Sequence, residues 1–83
     1  MHASVLARPR EEFPAEVRGL RLVAAAPDVW RVTARDGAVL GHIDRTIVDG
    51  SPRYRARRRS PGRTTLVELG EFWNGRDAVD VFR

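Results

Sequence analysis

The chain has 83 residues, no cysteine and a formal net charge of +4. This length allows one small domain with a modest core, and the lack of cysteine excludes disulfides, thiolate metal sites and a cysteine nucleophile. A small cysteine-free chain is typical of an intracellular protein. Because the sequence also has neither a signal-peptide pattern nor an apolar run long enough for a membrane span, we expect a cytoplasmic protein without a membrane partner.

Positive charge is concentrated in one segment. Residues 53–63 contain six arginines and no acidic residue, whereas the rest of the chain holds nine arginines and eleven acidic residues. A basic stripe of this kind is typical of a binding site for a polyanion, and a solvated, solubilising face is the alternative interpretation.

Residues 1–19 are predicted to form a flexible N-terminal arm, because Pro9 and Pro14 flank a charged stretch with few apolar residues. Pro14 can begin a helix over residues 15–20, which Gly19 limits to a turn or two. Residues 20–83 are predicted to form a single domain.

From residue 20 the hydrophobic period changes to two, which predicts β-strands. The expected strands are residues 20–24, 29–34, 39–48, 53–59 and 65–69. The expected turns, all at Pro, Gly or Asp, are residues 27–28, 35–37, 49–52 and 60–63, the last of type II. Gly41 interrupts the alternation of its strand and marks a bulge.

A short helix is predicted near the C-terminus. Asn74 is a suitable N-cap, Asp77 stands at the capping-box position, and Trp73 precedes the cap at the spacing of a hydrophobic staple. Ala78, Val79 and Phe82 share an apolar helical face.

The predicted fold is therefore α+β: an antiparallel β-meander of three to five strands packed against one short C-terminal α-helix. The predicted core comprises Trp30, Val32, Ile43, Tyr54, Ala56, Val67, Leu69, Phe72, Val79 and Phe82. The opposite sheet face has no partner within the chain and is predicted to carry Arg31, Thr33, Arg53, Arg55, Arg57 and Glu68.

The arginine strand supplies the candidate site. Alternate residues of a strand rise about 6.6 Å, so Arg53, Arg55 and Arg57 can contact successive phosphates or guanine edges in a major groove that admits a β-sheet. We expect Arg58, Arg59 and Arg63 to hold the nucleic acid backbone, and a flexible polar loop tip is the alternative interpretation. Arg31 and Arg45 complete the predicted set. Cross-strand pairing of Glu68 and Asp44 with the arginines would remove the basis of this hypothesis.

Other chemistry is weakly represented. His42 and Asp44 can supply two metal ligands or a base with its orienting carboxylate, but no third ligand is apparent and a surface ion pair is favoured. Trp30 and Trp73 can stack on bases, although core positions are favoured for both. We predict no enzyme activity, no cofactor and no metal.

The second half of the chain has a recognisable order of motifs. It contains Arg53-Tyr54-Arg55-Ala56-Arg57, then a Pro-Gly hairpin, then Leu69-Gly70-Glu71-Phe72, and finally Ala78 in a helix. Over roughly residues 39–83 this pattern resembles the AP2 and phage-integrase arm-type DNA-binding domains. The resemblance implies a three-stranded sheet that enters the major groove, with Arg53, Arg55 and Arg57 as middle-strand contacts. It also implies first-strand contacts at His42, Asp44 and Arg45, and a role in regulation or mobile-element recombination.

These observations predict a small protein that binds duplex DNA through an arginine-rich sheet face. The alternative is a protein-interaction module that uses the open face or an edge strand to bind an acidic partner or a second copy of itself.

Overall fold

The computed structural model describes residues 9–83. Residues 1–8, part of the predicted N-terminal arm, lie outside the described residues. The elements are β1 (Leu20–Ala26), β2 (Val29–Ala34), β3 (Val39–Val48), β4 (Ser51–Arg59), β5 (Leu66–Phe72) and α1 (Gly75–Asp80). The strands form one antiparallel sheet in the order β1-β2-β3-β4-β5. The predicted antiparallel meander with a short C-terminal helix is confirmed.

The turn signals act where the sequence places them. Asp49 and Gly50 both have positive φ, at 51° and 80°, which suits the two-residue turn that matches the twist of a hairpin. Gly62 has a φ of 72°, and the Arg63 amide donates to the Ser60 carbonyl at 3.1 Å, as a type II turn requires.

The two faces of the sheet carry different side chains, buried apolar residues on one and charged residues on the other. Trp30 pairs with Ile43, and Ile43 pairs with Ala56, so these three buried residues lie on one face. We call this side, against which α1 and residues 9–19 pack, the covered face. The other side is the open face, on which Arg31, His42 and Arg57 lie in register across three strands.

Three of the predicted core residues are not fully buried, and Phe13 and Ala78 are buried in addition to the predicted set. Val67, predicted to be buried, is 52% exposed and pairs with the exposed Arg58 near the β4–β5 hairpin. Leu69 and Phe72 are half-buried at the margin of the core. The remaining predicted core residues are buried.

Phe13 belongs to the core, although the sequence analysis placed it in the N-terminal arm. Its ring is buried and meets the rings of Trp30 and Tyr54 edge-on, with centroids 5.1 and 6.1 Å apart. The Trp30 Nε1 group donates to the Glu11 carbonyl at 2.8 Å. The Phe13 ring and the hydrogen bond to Glu11 together fasten residues 11–13 to the sheet.

The helix predicted over residues 15–20 is wrong. Residues 15–19 are irregular, with bends at residues 14–15 and 18–19, and Leu20 already belongs to β1. Gly19 has a φ of 76°, which a right-handed helix cannot accommodate, so the chain turns into the sheet there.

The C-terminal helix begins as expected. The Asn74 side chain accepts a hydrogen bond from the Asp77 amide at 2.9 Å, which satisfies one of the free amides of the first turn. Ala78 and Val79 are buried against β4 and β5.

Gly41 permits close approach of three elements. A Cβ on this residue would lie 2.0 Å from the Arg57 carbonyl oxygen and 2.8 Å from the Phe82 ring. The predicted irregularity is present, since the β2–β3 register shifts beside Gly41 and leaves Leu40 without a partner. The lack of a Cβ at Gly41 therefore lets the strand pass directly beneath Phe82.

Candidate nucleic-acid interface

The regular alternation of β4 builds the candidate site. Tyr54 and Ala56 are buried on the covered face, so the odd-numbered residues from 53 to 59 point to the open face. Those four residues are all arginine. Arg55 lies opposite Asp44 of β3 and Arg57 lies opposite His42, which places β3 chemistry beside the β4 arginines.

The open face carries an excess of positive charge. Six arginines and three carboxylates share it, a net charge of +3 with His42 neutral. They are Arg21, Arg31, Arg53, Arg55, Arg57 and Arg59, with Asp44, Glu68 and Glu71. No helix or segment of residues 9–83 packs on this side of the sheet.

Asp44 organises two of the arginines. Its Oδ2 atom accepts hydrogen bonds from the Nη2 atoms of Arg57 at 2.7 Å and Arg55 at 3.3 Å. Asp44 is 7% exposed, whereas the side chains of Arg55 and Arg57 are 41% and 32% exposed. One carboxylate beneath two guanidinium groups fixes their positions and cancels one of their two charges.

Arg53 is held differently. Its guanidinium lies 4.2 Å from the centre of the Trp73 ring and 3.6 Å from Glu71. Trp73 is 63% exposed, so the expectation that it belongs to the core is wrong. The residue before it, Phe72, pairs with Tyr54 on the covered face, and strand alternation therefore turns Trp73 to the open face.

Each of these three arginines presents mainly its terminal nitrogens. The Nε atoms of Arg53, Arg55 and Arg57 are buried and have no hydrogen-bond partner among the described residues. A ligand approaching the open face therefore meets terminal NH₂ groups rather than Nε, and in Arg55 and Arg57 the Nη2 group already donates to Asp44. The remaining N–H groups can donate to a phosphate or a base edge.

His42 lies among the same charges. Burial, together with the positive charges of Arg31, Arg57 and Arg59, lowers the pKa of His42 from its ordinary value, and Asp44 acts in the opposite direction. His42 is therefore mostly neutral at neutral pH. Residues 9–83 contain no group of three His, Asp or Glu side chains that could hold a metal ion, and His42 and Asp44 join the arginine cluster instead.

Arg45 does not lie with the other predicted site residues. It pairs with Tyr54 on the covered face, where its guanidinium binds Asp28 at 2.7 Å and also contacts Glu11. Burial alone would lower the pKa of Arg45, but the hydrogen bonds that its guanidinium donates to the carboxylates of Glu11 and Asp28 raise it. The side chain is only 14% exposed and fastens the N-terminal segment to the β1–β2 turn.

The other predicted arginines occupy the margins. Arg31 is exposed on the open face opposite His42. Arg58 lies opposite Gly41 and therefore points to the side of the covered face, beyond the core. Arg59 continues the open-face row, and Arg63 is exposed in the loop that follows the β4–β5 turn.

Comparison with known proteins gives this geometry no family. No protein-family model, curated protein or solved structure matches the chain. The likeness to AP2 and phage-integrase domains thus remains a resemblance of sequence pattern. In residues 9–83, α1 is the only helix, and its six residues are far too few to cross a membrane.

The arginine row and its pairing with Asp44 could be anticipated from the sequence, whereas the contacts that hold Arg53 could not. Strand alternation brings Arg53, Arg55, Arg57 and Arg59 together as expected. The contacts of Glu71 and Trp73 with Arg53 depend on the bulge opposite Ala56, where Leu69 is left without a partner. Glu68 lies opposite Arg57 in the register, although no ion pair joins them.

Proposed function

We propose that the protein binds duplex DNA through the open face of its sheet. The observation that carries this proposal is the row of four arginines on alternate residues of β4, on the face opposite to the one against which α1 and residues 9–19 pack. Its net charge of +3 favours a polyanion, and the spacing of about 6.6 Å between row members suits successive phosphates.

The width of the sheet determines which strands take part. Neighbouring strands lie about 4.8 Å apart, so β3, β4 and β5 together span about 10 Å, within a major groove about 12 Å wide. All five strands would be too broad. Because β5 is an edge strand, the β3–β5 side can enter the groove while β1 stays outside.

Internal pairing limits the strength of this site. Asp44 pairs with Arg55 and Arg57, and Glu71 pairs with Arg53. Cross-strand pairing with acidic residues, which weakens the DNA-binding hypothesis, is therefore present in part. Three acids against six arginines reduce the charge of the face without abolishing it. We therefore expect weak binding by a single module.

The test is fluorescence anisotropy with labelled random duplex DNA over a salt series. If the face neutralises about three phosphates, a plot of log affinity against log salt concentration has a slope of about −2.7. The informative variant is Arg31→Ala/Arg55→Ala/Arg59→Ala, which removes three charges from the open face. It keeps Arg57, so the buried carboxylate of Asp44 retains an ion-pair partner.

The matched control is Arg18→Ala/Arg35→Ala/Arg76→Ala, which removes three exposed arginines outside the sheet strands. Both triple variants have the same net charge, so a difference between them reports where the charge lies. We expect the open-face variant to lose at least about tenfold more affinity than the control. Equal losses in the two variants, or no binding of the native protein at low salt, would overturn the proposal.

An acidic protein surface is the second candidate partner. It is favoured by the way in which the open face already binds carboxylates, since Asp44 receives Arg55 and Arg57 and Glu71 receives Arg53. This candidate is favoured if an acidic peptide displaces bound DNA from the native protein while DNA at the same concentration does not displace bound peptide.

A further inference from the structure

Strand β1 is an open edge with little to protect it. It is the first strand of the sheet, and no strand of residues 9–83 pairs with its outer side. Its seven residues, Leu20–Ala26, include one charged side chain and no proline or glycine. Charge, proline and bulges are the usual devices that keep an edge from pairing, and the one irregularity of β1 lies at its end, between Ala24 and Ala26.

The opposite edge, β5, is protected. It carries Glu68 and Glu71, its register shifts opposite Ala56, and Gly70 has a φ of 149°. Pairing of β5 with itself would bring carboxylates of two copies together around an irregular backbone. The contrast singles out β1 as the edge available to another strand.

The apolar side chains of β1 on the covered face are also incompletely buried. Leu20, Leu22 and Ala24 pack against the core but remain half-buried, because α1 lies over β4 and β5 at the other side of the sheet. Apolar side chains at such a margin gain burial when the sheet is extended.

The sequence of β1 is compatible with a second copy of itself. The regular run Leu20–Ala24 has Leu22 at its middle. A two-fold axis there places Leu22 opposite Leu22, Leu20 opposite Ala24, and Arg21 opposite Val23 of the second copy. No two arginines face each other, and the leucines of both copies join on the covered side.

The geometry points to a symmetric homodimer in which β1 pairs antiparallel with β1 of a second copy, forming one ten-stranded sheet. This association does not depend on DNA binding. Since β1 lies at the edge remote from β4, the dimer leaves both arginine rows accessible and places them on the same side of the continuous sheet.

Sedimentation velocity over a dilution series from about 1 mM to about 1 μM tests the dimer without DNA. We expect a reversible change from twice the monomer mass to the monomer mass of 9.4 kDa. Val23 is the position to alter, because it is 45% exposed on the open face and its substitution spares the core.

Opposite charges at this position have opposite effects. Val23→Lys places a cation across from Arg21 of the second copy at two symmetric places, and we expect the dimer dissociation constant to rise at least about tenfold. Val23→Glu places a carboxylate there and leaves the constant unchanged or lower. Ile47→Lys and Ile47→Glu, at a 59% exposed site in the distant β3–β4 hairpin, are the controls and should leave it unchanged.

A monomer at every concentration overturns the inference. So does equal weakening by Val23→Lys and Val23→Glu, or equal weakening by the Val23 and Ile47 variants. Thermal unfolding of each variant at a concentration where it is monomeric checks that the fold is retained. Failure of DNA binding leaves this result intact, because no nucleic acid is present in the measurement.

Discussion

The covered and open faces of one sheet are specified in different ways. On the covered face, Trp30, Val32, Ile43 and Ala56 are almost inaccessible to solvent, and their positions follow from strand alternation alone. On the open face, arginines alternate just as regularly, but their guanidinium groups are positioned by single partners, chiefly Asp44.

The difference shows which substitutions each face tolerates. The covered face is close-packed, so the addition or removal of one methyl group lowers the stability of the fold. The open face is held by ion pairs that are partly solvated, so removing a partner alters charge and orientation more than stability. Variants on the two faces should therefore separate folding from binding.

Gly41→Ala should have the largest effect, on the covered side. The added Cβ would collide with the Arg57 carbonyl oxygen in β4 and with the Phe82 ring, and neither the sheet backbone nor the core can move aside easily. We expect a loss of at least about 3 kcal/mol in the free energy of unfolding, measured by urea denaturation.

The control is Gly50→Ala, in the β3–β4 turn. Gly50 has a φ of 80° but nothing within 4 Å of its added Cβ, so only backbone strain is introduced. A loss of about 1 kcal/mol is expected there. Equal losses at Gly41 and Gly50 would mean that the contact beneath Phe82 contributes nothing.

Most of the fold could be predicted from the sequence because its signals are local. Alternation fixes the five strands and their faces, and the pairs Asp49-Gly50 and Pro61-Gly62 fix turns through backbone conformations that few residues adopt. The Asn74 cap is likewise local. Strand order then follows, since short turns join neighbouring antiparallel strands.

What the sequence did not reveal depends on contacts between distant residues. Phe13 is one apolar residue in a charged stretch, and only the assembled sheet provides the pocket between Trp30 and Tyr54. Arg45 is one more arginine in the sequence, yet Asp28 and Glu11 bind it on the covered face. Periodicity cannot report such partners, because they are seventeen and thirty-four residues away.

Asp44→Asn should have an intermediate effect, confined to the open face. The change removes one negative charge beneath Arg55 and Arg57 and keeps the size of the side chain. We expect tighter binding to random duplex DNA at low salt, with the log–log salt slope steepening by about 0.9 as one more phosphate is neutralised. Unfolding should lose only about 1 kcal/mol, since both arginines are partly solvated.

Asp36→Asn is the matched control, because it removes the same charge from the exposed β2–β3 turn. If both variants change the DNA affinity and the salt slope equally, the effect is one of net charge and Asp44 has no special place in the interface. A variant that binds DNA more weakly than the native protein would instead show that Asp44 is needed to orient the arginines.

His42→Gln should have the smallest effect, seen only in the dependence of stability on pH. Burial and three nearby arginines lower the pKa of His42 in the folded protein below its ordinary value near 6.5. The unfolded chain therefore takes up this proton first as the pH falls through 6.5, and the native protein loses stability in that window. Above the window, where both states are neutral, this contribution is constant.

Urea denaturation at about pH 7.5 and about pH 5.5, on either side of the ordinary histidine pKa, measures the loss. The His42→Gln variant should lose less stability than the native protein between the two pH values, by under about 1 kcal/mol because the imidazole is only partly buried. His2 is present in both proteins and cancels in the difference. Parallel pH profiles would mean that neither burial nor the arginines of the open face lower the pKa of His42 in the folded protein.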